Sequence, residues 1–171
     1  MSHAKPAGGG ETPAHDSTLR EQLIEMLEGG HAHATFDQVI KGFPVDRTGI
    51  RPHGVPHSAW ELLEHMRLAQ DDILRFSQSA EHVSPEWPAG YWPSNPAPAK
   101  HSDWQDSARA FRDGLAEFVA MLRNPKSDLH QKFSWGDGQT LLREALVLAD
   151  HNSYHLGQLV TVRRLLGAWK E

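Results

Sequence analysis

Between Trp104 and Leu122 apolar side chains return every three or four positions: Trp104, Ala108, Phe111, Leu115, Phe118, Val119 and Leu122. That spacing follows the 3.6-residue turn of an α-helix and not the two-residue alternation of a strand. A helix of this length with one apolar side must bury it against other helices, so the chain is predicted to be all-α. Two further stretches carry the same period. Residues 58–78 place Leu62, Met66, Ala69, Ile73 and Phe76 on one side, and residues 139–168 do the same with Leu141, Ala145, Leu148, Leu159, Val162 and Leu166. A first helix over 17–28, with Ser17 as its N-cap, carries Leu19, Leu23, Met26 and Leu27 and is stopped by Gly29-Gly30. The expected fold is a single-domain four-helix bundle over residues 17–171, with helices at 17–28, 58–78, 101–124 and 139–168 and a short extra helix at 35–41. Residues 1–16, with three consecutive glycines, two prolines and little to bury, are expected to be a disordered tail.

The connection from Ala80 to His101 holds five prolines together with Trp87, Tyr91 and Trp92. Aromatics in so long a connection predict that it packs over the bundle as a crossover between the second and third long helices, and Trp92 is a candidate for lining a pocket there. Two capping boxes are predicted, Ser58-Ala-Trp-Glu61 and Ser102-Asp-Trp-Gln105. In the first, Glu61 has two readings. Its carboxylate either closes the cap or, lying one turn before His65, serves a site; the cap is favoured.

Composition narrows the function. A formal charge of −5 offers no basic field to gather a polyanion, so nucleic acid is not an expected partner. No apolar run approaches the ~18 residues that cross a bilayer, and the first fifteen residues lack the apolar segment of a secretory signal. Cytoplasm is therefore the default compartment. There is no cysteine, hence no disulfide framework and no redox pair.

The chemistry sits in the histidines. In Asp150-His-Asn-Ser-Tyr-His155 the imidazoles of His151 and His155 stand four residues apart, one turn on one helical side, with His155 and Asn152 on the apolar stripe. Each could be a hydrogen-bonded core residue, or the pair could share a metal ion. His65 lies beside the stripe of the second long helix and can join them. Three neutral imidazoles with one position left for water describe a catalytic type of divalent site, zinc or nickel, whereas a structural zinc site is closed by four protein ligands. His31 and His33 follow the first helix, and His57 precedes the second. His33 and His57 are read as pocket residues beside the metal, along with Glu61, Asn152 and Trp92.

Gly29-Gly-His-Ala-His33, Pro56-His-Ser-Ala-Trp-Glu-Leu-Leu-Glu-His65, Pro85-Glu-Trp-Pro88 with Tyr91-Trp-Pro93, and Leu142-Arg-Glu144 leading into Asp150-His-Asn-Ser-Tyr-His155 occur in this order along the chain. In these stretches the sequence resembles the DinB-like superfamily of metal-binding four-helix bundles, grouped with the YfiT-type metal-dependent hydrolases. The resemblance implies a metal held by His65, His151 and His155. It also implies a small-molecule substrate and an activity among thiol-dependent transferases, isomerases or hydrolases, with a low-molecular-weight thiol such as mycothiol or bacillithiol as partner. The acceptors that orient the ligands are not evident, since Asp150 and Glu144 are near in sequence but point in other helical directions. The rival reading is a non-catalytic module that binds a metal or small ligand, conceivable as a homodimer whose metal only stiffens the bundle.

Overall fold

The computed structural model describes residues 14–169; of the expected tail over residues 1–16, residues 1–13 lie outside them and residues 14–16 belong to the first helix. Among the described residues there are five α-helices: α1 (Ala14–Glu28), α2 (Phe36–Ile40), α3 (Ala59–Gln78), α4 (His101–Arg123) and α5 (Leu141–Leu165). They contain no strand, and extended pairing is limited to one isolated bridge between Lys132 and Thr140. The all-helical expectation therefore holds. The first helix starts three residues ahead of Ser17, and the last ends at Leu165, where Leu166 and a left-handed Gly167 (φ 65°) terminate it.

Helix starts follow local chemistry. Ser58 Oγ accepts from the Glu61 amide at 3.2 Å while Glu61 Oε2 accepts from the Ser58 amide at 2.8 Å, closing the expected box. Thr35 and Gln38 do the same for α2. The box expected at Ser102 does not form. Helix α4 begins at His101, as expected, but its N-cap is Lys100, and Asp103 Oδ2 accepts from the Lys100 amide at 2.8 Å, so the acidic residue takes the role assigned to Gln105.

Helix α3 packs on α4 and α5, and α1 packs on the same two, so each long helix has two long neighbours. The α4 stripe is buried as expected, with Leu115 only partly covered. Met26 departs from expectation: it is 56% exposed, and Ile24 with Leu23 and Leu27 supplies the buried side of α1. The apolar interior divides into two clusters. One gathers Trp60, Leu63, Met66, Trp104, Phe111, Leu156 and Leu159, and the other Leu23, Leu74, Phe118, Leu122, Leu148 and Ala149. Along α3 the boundary falls between Met66 and Leu74, where Gln70 stands. Along α5 it falls between Ala149 and Leu156, where His151, Asn152 and His155 stand. The polar residues thus form a layer between two apolar halves.

Two buried arginines tie helix ends to distant segments. Arg163 donates to the carbonyls of Ala168 (2.9 Å), Lys41 (2.8 Å) and Val39, and Arg20 donates to those of Leu122 (2.7 Å) and Ser127. Both satisfy carbonyls that a helix end leaves unpaired.

Candidate metal centre

Helix α3 delivers His65, and one turn of α5 delivers His151 and His155. His65 Nε2 lies 3.1 Å from His151 Nε2 and 3.1 Å from His155 Nε2, and the three ligand atoms all fall within 4.8 Å of one another. Two Zn–N bonds of ~2.0–2.1 Å at a tetrahedral angle hold their nitrogens roughly 3.4 Å apart, close to these spacings. Among the described residues no further His, Asp or Glu joins the group.

Hydrogen bonding tests whether the rings suit a cation. His65 Nδ1 is 2.8 Å from the Tyr91 carbonyl, which can only accept, so the proton of the neutral ring resides on Nδ1 and Nε2 presents a bare lone pair. His155 Nδ1 is 2.8 Å from Gln158 Oε1, which holds its proton in the same place. Two lone pairs then face each other at 3.1 Å. That contact is repulsive by itself and becomes favourable when a cation is shared, so the residues fit a metal ion.

Electrostatics agree. Burial, followed by the neighbouring His155 and His65, pushes His151 down to about 4. Burial also takes His155 down to about 4; the Gln158 hydrogen bond opposes the shift, and His65 and His57 add to it. His65 is lowered by burial against the pull of the Tyr91 carbonyl. All three rings are therefore unprotonated at neutral pH, as ligands must be.

The proline-rich connection supports the centre. The Trp92 ring lies parallel to His65 at 3.9 Å and 3°, and His57 stacks on its other side at 4.1 Å and 17°. Tyr91 donates its hydroxyl to Asp72 Oδ2 at 2.7 Å, and Asp72 Oδ1 meets His82 Nε2 at 2.7 Å. Burial and the Asp72 carboxylate push the Tyr91 hydroxyl up to about 12, so it remains a donor. These contacts pin the connection to α3 and aim the Tyr91 carbonyl at His65.

The other candidates lie elsewhere or act indirectly. Glu61 gives its carboxylate to the Ser58 amide and to Arg51, whose Nε is 2.8 Å away, and so takes the capping reading. Asn152 donates to Gln70 Oε1 at 3.3 Å. His33 reaches Ser153 Oγ at 3.3 Å and, with His31, Met26, Gly29 and Ser153, lines a separate cavity of about 510 Å³.

A sequence model of the DinB superfamily matches residues 19–159, a span that includes all three histidines. The chain belongs to the DinB superfamily. Among curated proteins and among solved structures nothing matches it. What sequence reasoning missed in this DinB-superfamily chain is the support of its ligands. A backbone carbonyl such as that of Tyr91 leaves no side-chain signature. Gln158 was findable, because it stands three residues after His155 on the same helical side. Asp150 is exposed, and Glu144 pairs with Arg143 at 2.6 Å, so neither takes that role.

Proposed function

We propose that this protein is a metal-dependent enzyme holding a divalent ion, zinc or nickel, on His65, His151 and His155. It acts on a small molecule with a low-molecular-weight thiol as cosubstrate. In the same reading the four long helices form the family's bundle, with the segment from Ser79 to Lys100 as the crossover. The observation that carries the proposal is the convergence of three Nε2 atoms with no fourth His, Asp or Glu donor among the described residues, the arrangement that leaves a coordination position for exchange. A bound ion would supply Lewis acidity and lower the pKa of a water or thiol brought to it. The chain's own residues supply the setting. The Tyr91 carbonyl and Gln158 hold two rings in the ligand tautomer, and Trp92 covers one side of His65 and excludes water there. With no cysteine in the sequence, a thiolate has to arrive from outside.

Cobalt substitution tests this. Titrating small thiols into the Co²⁺ protein is expected to produce sulfur-to-cobalt charge-transfer absorption that is absent from His65→Ala. If no thiol perturbs the spectrum while water still exchanges at the ion, metal-assisted hydrolysis replaces thiol transfer. A position closed to every small ligand would make the protein a binding module.

A further inference from the structure

The three ligand rings are not supported alike. His65 and His155 each have an acceptor on Nδ1, but His151 Nδ1 is buried without a hydrogen bond, and so is the Oδ1 of Asn152, the next residue. The two atoms are complementary. A His151 that offers Nε2 to a metal carries its proton on Nδ1 and needs an acceptor, and Asn152 Oδ1 is an acceptor in need of a donor.

The orientation of Asn152 is fixed from a distance. The Phe111 carbonyl on α4 accepts from Gln70 Nε2 at 2.6 Å, and since a carbonyl has only lone pairs, Gln70 must face it with its NH₂ group. The Oε1 of this side chain, 1% exposed, is thereby turned toward Asn152, which has to meet it with Nδ2 at 3.3 Å. Reversing Asn152 would set two oxygens against each other. Gly114 makes the room, because a Cβ there would sit 3.1 Å from Gln70 Nε2. The backbone of α4 therefore sets Gln70, and Gln70 sets Asn152, leaving Oδ1 for the neighbouring ring. Packing does not account for the pair. Leucines would fill the gap between the two apolar clusters without a buried amide that needs partners.

We propose that Asn152 is a positioning residue of the metal centre: its Oδ1 accepts the proton of His151 Nδ1, directly or through one water, and a relay from the Phe111 carbonyl through Gln70 and Asn152 crosses three helices to orient the ring. This rests on the metal reading above. Successive helix positions diverge by ~100°, which a single water between the two atoms accommodates.

The test uses the full-length Co²⁺ protein, with Co²⁺ affinity and the hyperfine-shifted, solvent-exchangeable ring N–H resonances as readouts. The wild type is expected to show one such resonance per ligand. Asn152→Leu should bind Co²⁺ roughly 10- to 100-fold more weakly and lose the His151 resonance to solvent exchange while the other two persist. Asn152→Asp keeps an acceptor for His151 but sets an oxygen against Gln70 Oε1, so it should retain all three resonances without binding more tightly than wild type. Gln70→Leu should weaken binding, with no added loss in combination with Asn152→Leu. Wild-type affinity and an unchanged His151 resonance in Asn152→Leu would overturn the relay and leave the metal reading standing. If the leucine variant does not fold, wild-type affinity and an unchanged His151 resonance in Asn152→Ala overturn it instead. A wild type that binds no Co²⁺ brings down both.

Discussion

Acidifying the metal-stripped protein from pH 7 to pH 5 should weaken it through two histidines. His151 and His155 have folded values of about 4, below the ~6.5 of an unfolded chain. Their folded pKa values are depressed, so the unfolded state binds more protons across this window and stability falls with pH. Each histidine contributes up to ~1.8 kcal/mol between pH 7 and 5, at ~1.4 kcal/mol per pKa unit. Simple addition overstates the total, because mutual repulsion contributes to the shifts and the rings gain water as they charge. About 2 to 3 kcal/mol is the expected loss. Urea unfolding at fixed ionic strength, comparing wild type with His151→Gln/His155→Gln, isolates it, since the other ten of the twelve histidines are common to both proteins. The carboxylates of Glu61 and Glu64 are held below their usual range and lose their contribution only under more acid conditions. The double variant should be less sensitive to pH than wild type by the stated amount. Equal slopes would show that burial of the two rings does not depress their proton affinity.

Arg163, 5% exposed, should be costly to replace: Arg163→Met keeps the stem but leaves buried carbonyls of Val39 and Ala168 unpaired, for a loss of about 3 kcal/mol readable by urea unfolding. Ending the chain after Arg164 removes Leu166 and Trp169, which pack on the core, and the Ala168 carbonyl that Arg163 holds. The midpoint should drop by several degrees, at roughly 2–4 °C per kcal/mol for a chain of this size.

The sequence was most legible where one short-range rule acts. The α4 stripe and the Ser58–Glu61 box are such cases, and both formed. The three histidines were legible as well, two by helical spacing and the third by its place beside an apolar stripe. What sequence left hidden depends on contacts between distant elements. Gln70 looks like any polar helix residue until the α4 carbonyl opposite it is known. Arg163 reads as a surface cation near a helix end, yet its partners Val39 and Lys41 lie more than a hundred residues away. Met26 fits an apolar period but ends up exposed, lining the cavity that His31 and His33 also line. Ser102 lost its capping role because Asp103 reaches the Lys100 amide and makes Lys100 the N-cap, two residues earlier.

Metal content per chain tests the central claim most directly. Elemental analysis of protein purified without added metal should find about one divalent ion per chain in the wild type and almost none in His151→Ala/His155→Ala. Occupancy should also decline as pH falls through the histidine range, because protons compete for the same lone pairs. A wild type free of bound metal, or a double variant that keeps its full complement, would contradict the assignment of His65, His151 and His155 as a metal centre.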